Sequence, residues 1–266
     1  MPRPNPWWSK MPAPDALLEV REVSMHFGGL QALSAISLTV APGEAVGIVG
    51  PNGAGKTTLF NCVCGTLRPT RGTVSFEGEP IDHLPPFRRA RLGIRRTFQR
   101  VEVFPEMTVR DHVLVAERAR RGDGRLWKDL LNRGAPRPDE QAHAEAVLDL
   151  VGLGALADTP VAALSLGHCR LVELARALAG EPRLLLADEP SSGLDIRETS
   201  HLADVLRRVG RERAMAVLLV EHDLPMVART VDRVVVLDFG EQIAAGTLDQ
   251  VMADPAVRRA YLGGAA

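Results

Sequence analysis

The chain has 266 residues, of which 45% are apolar and 24% charged, a composition typical of one globular domain or of one domain with an inserted lobe. Lysine and arginine number 32 against 33 acidic residues, so the formal net charge is −1, which disfavours a protein that binds nucleic acid over its whole surface. The three cysteines form no pair of CxxC motifs, which disfavours a zinc ribbon and a disulfide scaffold. No apolar run reaches the roughly 18 to 20 residues of a membrane-spanning helix, and the first residues lack the apolar stretch of a signal peptide.

Residues 1–15 contain five prolines and are predicted to form a flexible tail, because proline is compatible with neither a helix interior nor a central strand. Trp7 and Trp8 in this tail are expected to pack loosely on the first sheet. One domain is predicted for residues 16–254, followed by a short C-terminal helix and tail at 255–266.

Two kinds of strand are predicted after the tail. Alternation of apolar and polar residues indicates half-buried strands at 18–23 and 36–40. Uninterrupted apolar runs indicate strands that are covered on both faces of a sheet, at 45–49, 184–187, 216–220 and 234–237. Helical patterns precede the later runs, including those at 170–180 and 196–209. This alternation of helices with buried strands predicts an α/β fold with a mostly parallel sheet.

The middle of the chain has a different pattern. Residues 109–121 and 139–153 are helical in period and no convincing strand separates them, so an inserted helical subdomain is predicted at about residues 100–180. Residues 120–138 are rich in arginine, glycine and proline. Their basic side chains favour a solvated face, and contact with lipid headgroups near a membrane partner is the alternative.

A glycine-rich loop directly follows the predicted strand at 45–49. Eight residues match the phosphate-binding pattern G-x-x-x-x-G-K-[ST], namely Gly50, Pro51, Asn52, Gly53, Ala54, Gly55, Lys56 and Thr57. Thr58 continues into a predicted helix, whose free N–H groups and positive end attract phosphate oxygens. Lys56 is expected to bridge the β and γ phosphates of a nucleotide, and the Thr57 hydroxyl to coordinate Mg²⁺. The strand–loop–helix context disfavours a chance glycine-rich turn.

Two acidic residues end the predicted strand at 184–187. Asp188 is the candidate Mg²⁺ ligand, and Glu189 the candidate general base for an attacking water. The C-terminal ends of parallel strands are where α/β sheets bind ligands. The alternative, that the two acids only cap the turn at Pro190, is disfavoured by the glycine loop.

Further motifs follow in a fixed order along the chain. They are Arg95–Phe98 with Gln99, Leu164–His168, Ser192–Asp195 and Val220–Asp223. With the glycine loop and the acidic pair, this order resembles the ATP-binding subunits of ABC transporters, from about Leu17 to the end of the chain. The resemblance implies a P-loop NTPase core with a mostly parallel sheet, an N-terminal antiparallel β subdomain and an inserted helical subdomain that docks on a membrane permease.

The resemblance also implies roles for residues around the nucleotide held by this chain. Phe27 resembles the aromatic residue that stacks on adenine. Gln99 resembles the glutamine that senses Mg²⁺ and the nucleophilic water. His222 resembles the histidine that contacts the γ-phosphate.

Three other residues are implied to act across a dimer of two such subunits. Ser165 and Gly167 resemble signature residues that touch the γ-phosphate of ATP held by the opposing subunit, and Asp195 resembles the residue that links the two sites. The signature departs from the usual pattern at Leu166, where glycine is common, and at His168, where glutamine is common.

A narrower similarity is to the ATPase subunits of branched-chain amino acid importers. It rests on residues 27–30, 95–99, 106–109 and 260–263, and on the long insertion at 120–138. The implied cofactors are ATP and Mg²⁺. The implied partners are a second ATPase subunit in a homodimer or heterodimer, two transmembrane permease subunits and, indirectly, a periplasmic or extracellular solute-binding protein. The resemblance also implies a peripheral location at the cytoplasmic face of the inner membrane and no nucleic-acid partner.

Three other functions compete with this one. An ATPase of the lipopolysaccharide-export type has many of the same motif residues but a shorter helical lobe. A non-transport ABC ATPase acting on DNA or ribosomes needs a coiled coil between Gln99 and Ser165, a zinc hook or two cassettes in one chain. A regulatory P-loop protein without ATPase activity is disfavoured by Glu189 and His222.

Overall fold

The protein is described by a computed structural model over residues 16–97, 103–121 and 136–262. Two sheets carry the fold: a four-stranded antiparallel sheet and a six-stranded sheet that is parallel except at one edge. The predicted proline-rich tail with Trp7 and Trp8, and most of the segment 120–138, lie outside the described residues.

The antiparallel sheet has the strand order β2-β1-β4-β5. Its strands are β1 (Leu18–Phe27), β2 (Leu30–Val40), β4 (Arg71–Phe76) and β5 (Glu79–Pro80). Leu18 lies opposite Val40, and the hairpin closes where Phe27 lies opposite Leu30. The strands predicted at 18–23 and 36–40 are confirmed, although both extend toward the hairpin turn.

The six-stranded sheet has the order β10-β9-β3-β8-β7-β6. Its strands are β3 (Ala45–Val49), β6 (Ile94–Arg96), β7 (Leu184–Asp188), β8 (Ala216–Val220), β9 (Arg233–Asp238) and β10 (Glu241–Gly246). The four apolar runs predicted as strands are confirmed as the four central ones. Strand β10 pairs antiparallel with β9 and was not anticipated, nor was β6 at the opposite edge.

Alternate residues of the central strands face two different apolar cores, which explains why these strands are apolar throughout. One face of the six-stranded sheet packs with the antiparallel sheet and α1 (Lys56–Cys64). The other face packs with α5 (Leu166–Ala179), α6 (Ile196–Glu212) and α7 (Leu224–Thr230). Strand β3 lies between β8 and β9, so the loop that follows it lies at the middle of the sheet edge.

Among the described residues, three α-helices lie between β6 and β7 in the chain: α3 (Val109–Arg121), α4 (Pro138–Leu150) and α5. The first matches its prediction, and the second ends three residues earlier than the predicted 153. The remaining helices are α2 (Pro86–Arg91), α8 (Leu248–Ala253) and α9 (Pro255–Leu262). The α/β fold class is confirmed, with its mostly parallel core sheet, N-terminal antiparallel sheet and inserted helices.

The basic residues at the end of α3 correct the prediction of a solvated face. Arg120 and Arg121 both bind the fully buried carboxylate of Glu117, at 3.0 and 2.7 Å, and Arg118 binds Glu140 of α4 at 3.3 Å. These arginines hold the inserted helices together.

Every helix in the described ranges is too short or too polar to span a membrane.

Candidate nucleotide site

The glycine loop between β3 and α1 adopts a conformation that two of its glycines make possible. Gly50 has φ +150° and a Cβ there would collide with the carbonyl oxygen of Leu237. Gly55 has φ +98°, and a Cβ there would lie 2.7 Å from the carbonyl oxygen of Ala32. Larger residues are strained in this backbone region. The loop is therefore pressed against β2 and β9, with its open side left for a ligand.

Lys56 is the first residue of α1 and spans the inside of the loop. Its Nζ donates to the carbonyl oxygens of Gly50 and Pro51, at 2.7 and 2.9 Å. Burial lowers the pKa of Lys56, and the carboxylate of Glu189 partly opposes this effect. A buried ammonium group whose hydrogen bonds go to neutral carbonyls is suited to exchange them for phosphate oxygens.

The rest of the loop and the start of α1 combine one buried residue with several exposed ones. Ala54 is buried, and its carbonyl oxygen accepts from the amide of Gly240 at 3.1 Å. Gly53 has φ +81° and open space around it, and Asn52 is exposed. Thr57 is exposed and Thr58 half-buried at the start of α1. The first turn of α1 thus presents its backbone amides and hydroxyls beside the loop.

Asp188 ends β7 and is paired with Arg96, the last residue of β6. The Arg96 Nη2 donates to the Asp188 Oδ2 at 2.7 Å, and only 4% of the Asp188 side chain is exposed. The same guanidinium donates to the side chain of Asn61 on α1 at 2.9 Å and lies 4.9 Å from the centre of the Phe60 ring. Arg96 therefore links the acidic strand end to the helix that carries Lys56.

The oxygen donors predicted for Mg²⁺ fit that ion chemically. Asp188 contributes a carboxylate and Thr57 an exposed hydroxyl. Mg²⁺ usually needs only one or two protein carboxylates because substrate phosphates and water complete its shell. In the described ranges no three His, Cys, Asp or Glu side chains form a metal cluster. Gln99, the third predicted ligand, lies outside the described residues.

Glu189, the predicted base, follows Asp188 in a strained conformation. Its φ of +44° lies in the left-handed region, which non-glycine residues adopt at a cost of about 1 to 3 kcal/mol. Its amide donates to the carbonyl oxygen of Val220 at the end of β8, at 2.8 Å. This hydrogen bond holds Glu189 beside the end of β8. His222, whose ring is exposed, lies two residues after the end of that strand.

Phe27 ends β1 and is 45% exposed. It lies at the hairpin turn whose second strand brings Ala32 against Gly55 of the loop. An exposed ring near the glycine loop is consistent with the predicted adenine contact.

The predicted signature residues form a separate cluster around Glu198 of α6. Ser165 Oγ donates to the Glu198 Oε1 at 3.2 Å, and the Gly167 amide reaches the same oxygen at 3.3 Å. Asp195 caps α6, and its amide lies 3.4 Å from the Glu198 Oε2. His168 Nδ1 lies 3.1 Å from Ser165 Oγ. None of these bonds reaches the glycine loop.

Sequence reasoning gave no role to Arg96, Glu198 or Glu221, although all three bind predicted site residues. A signal was available for Glu221, which directly follows a predicted strand and precedes His222, at the edge where α/β sheets bind ligands. Arg96 carries no such signal because it ends β6, a strand that the sequence did not predict. Glu198 carries no comparable signal because its position on α6 is that of an ordinary capping residue.

Comparison with known proteins gives matches over most of the chain. Residues 33–192 match the ABC transporter family, and residues 241–266 match the branched-chain amino acid ATP-binding cassette transporter family. A Pseudomonas aeruginosa protein, the high-affinity branched-chain amino acid transport ATP-binding protein BraF, is 39% identical over 250 residues, covering 93% of this chain and 98% of the relative. The Escherichia coli protein LivG, described in the same words, is 38% identical over 253 residues with the same coverage of both chains.

Solved structures give the same result. An ATP-binding cassette of an ABC transporter in its ADP conformation has a TM-score of 0.83 and 31% identity, covering 93% of this chain and 99% of that one. A nucleotide-free ATP-binding cassette has a TM-score of 0.79 and 31% identity, covering 92% and 98%. Relatives above 30% identity over nearly their full lengths, together with the family match, show that this chain belongs to the ABC transporter ATP-binding family.

Proposed function

We propose that this protein is the ATP-hydrolysing subunit of an ABC importer for branched-chain or related amino acids. The observation that carries the proposal is the position of Lys56 inside a glycine loop, electrostatically coupled to Glu189 of the acidic strand end. The substrate class is supported by relatives such as BraF and LivG, which are named for branched-chain amino acid transport.

Binding of ATP is assigned to the glycine loop and its neighbours. Lys56 exchanges the carbonyl oxygens of Gly50 and Pro51 for β- and γ-phosphate oxygens, and the amides from Gly53 to Thr58 donate to the other phosphate oxygens. Phe27 stacks on the adenine. Thr57, Asp188 and Gln99 hold Mg²⁺, which neutralises charge on the phosphates when bound.

Hydrolysis requires a base and a group that holds the γ-phosphate. Glu189 accepts the proton of the attacking water, which displaces ADP from the γ-phosphorus. His222 donates to a γ-phosphate oxygen from the neighbouring strand end. Because both residues follow adjacent parallel strands, β7 and β8, they approach the same phosphate from one edge of the sheet.

Transport requires partners that this chain does not supply. In the proposal, a second ATPase subunit places its nucleotide against Ser165 and Gly167, and Asp195 links the two sites. ATP closes the pair because it adds contacts that are absent from the open pair, and hydrolysis reopens it. Two permease subunits carry the solute, a solute-binding protein delivers it, and the ATPase lies peripherally on the cytoplasmic face. No nucleic acid takes part.

The test is ATP-driven uptake in membrane vesicles that contain this chain together with two permease subunits and a second ATPase subunit. Radiolabelled leucine should accumulate with the wild type and its binding protein. The Glu189→Gln variant should bind ATP but lose roughly 10²-fold or more in turnover and uptake. ATP hydrolysis without uptake of leucine, isoleucine or valine would contradict the substrate class, and normal turnover by Glu189→Gln would contradict the assigned base.

A further inference from the structure

The carboxylate of Glu221 joins two loops of the site. Glu221 directly follows β8 and its side chain is fully buried. Its Oε1 accepts from the amide of Ser191 at 2.9 Å, and its Oε2 accepts from the amides of His222 and Asp223 at 3.0 and 3.3 Å. Ser191 belongs to the segment after Glu189, whereas the other two amides belong to the loop that carries the histidine.

Local backbone capping does not require this arrangement. A buried carboxylate loses several kcal/mol of hydration, so each of its hydrogen bonds matters. Among the described residues no lysine or arginine pairs with Glu221, and its one basic neighbour is His222, whose Nδ1 lies 3.7 Å from Oε2. Asp223 shows what ordinary capping looks like here, since it accepts only from Met226 within its own helix, α7.

The main chain strengthens the same connection. The amide of Glu189 donates to Val220 on β8, and the amide of Glu221 lies 3.5 Å from the carbonyl oxygen of Ile48 on β3. Glu221 therefore lies where the ends of β3, β7 and β8 meet, between the strand that leads into the glycine loop and the segment that leads to Asp195.

We infer that Glu221 is a positioning residue for ATP hydrolysis. Its carboxylate fixes His222 relative to the segment from Glu189 to Asp195, so that the γ-phosphate contact and the general base keep one geometry. A movement of that segment, when a second subunit engages Asp195, is transmitted to His222 through the Ser191 amide. This inference rests on the proposed function, in which His222 contacts the γ-phosphate.

The experiment compares kcat and KM for ATP in the vesicle-reconstituted transporter. Glu221→Gln keeps the size of the side chain but turns an amide group toward backbone donors. Glu221→Asp keeps the charge but is one methylene too short to reach both loops. Each variant should lower kcat about tenfold, the effect of one charged hydrogen bond, with little change in KM.

A double-mutant cycle separates positioning from general structure. In a His222→Ala background, Glu221→Gln should lower kcat by less than twofold, because the histidine that it positions is already absent. Asp223→Asn is the matched control, since its side chain can still cap α7, and it should leave kcat unchanged.

The outcomes distinguish this inference from the proposed function. Wild-type kcat in Glu221→Gln and Glu221→Asp, with a large loss in His222→Ala, would overturn the inference alone. Additive effects in the cycle, or failure of both Glu221 variants to fold, would make Glu221 a structural residue and also overturn it. Wild-type kcat in His222→Ala would remove the proposed role of the histidine and the inference together.

Discussion

The ion pair between Arg96 and Asp188 yields a prediction about the stability of the protein without nucleotide. Arg96→Met keeps an unbranched side chain over the Phe60 ring but removes the guanidinium that neutralises Asp188. The Asp188 carboxylate is then left almost fully buried without this cation. The variant should be less stable than the wild type in the absence of nucleotide and magnesium.

The size of the effect follows from the geometry of the pair. Removing one partner of a buried ion pair costs about 3 to 5 kcal/mol. The lower end applies because 18% of the Arg96 side chain is exposed and water reaches the site. A loss of about 3 kcal/mol in the free energy of unfolding corresponds to a urea midpoint lower by roughly 1 M.

The assay is urea unfolding of the purified subunit. The dependence of the unfolding free energy on urea concentration should be the same in all variants. The double variant Arg96→Met/Asp188→Asn should recover at least half of the loss, because no charge is then left uncompensated. Arg95→Met is the matched control, since Arg95 donates only to Gly180 at 3.5 Å among the described residues and its Nε is buried with no described acceptor. An unchanged midpoint in Arg96→Met, or a double variant weaker than the single one, would refute the argument.

Three further predictions concern the nucleotide. Lys56→Ala should raise the dissociation constant of MgATP by at least roughly 100-fold, because it removes a charged donor to two phosphates; titration with labelled ATP checks this, and an unchanged constant would remove the loop assignment. Phe27→Ala should weaken ATP by about 1 kcal/mol while Phe27→Trp retains affinity, and equal affinities in all three proteins would make the ring an ordinary surface residue. Ser165→Ala should weaken ATP held by the partner subunit and leave ATP at Lys56 bound, as measured by site-specific photolabelling; equal loss at both sites would contradict a role in trans.

Local patterns in the sequence were sufficient for the parts of the protein that depend on neighbouring residues. The strand–loop–helix context of Lys56 is contained in about twenty consecutive residues, since the loop conformation depends on glycines and on the start of α1. The four central strands were predictable because burial on both faces leaves an uninterrupted apolar run. Roles for Ser165, Asp195 and His222 came from family resemblance.

Sequence patterns did not predict the edge strands or the order of the strands in the sheet. Strands β6 and β10 are short or half-exposed, so they carry no strong apolar pattern, and they pair only because a neighbouring strand offers free backbone groups. The basic end of α3 resembled a solvated face because its partner, Glu117, lies on the same helix while the remaining acids come from distant segments.

Tertiary structure alone decided how the acidic residues of the site are held. Arg96 and Asp188 are 92 positions apart, and Glu221 and Ser191 are 30 apart, yet each pair meets within hydrogen-bond distance. The reason is the order of the parallel strands, which brings the ends of β3, β6, β7 and β8 to one edge. A charge at a strand end can be recognised in the sequence, but its partner is chosen by which strands lie side by side, and that follows from packing of the whole sheet.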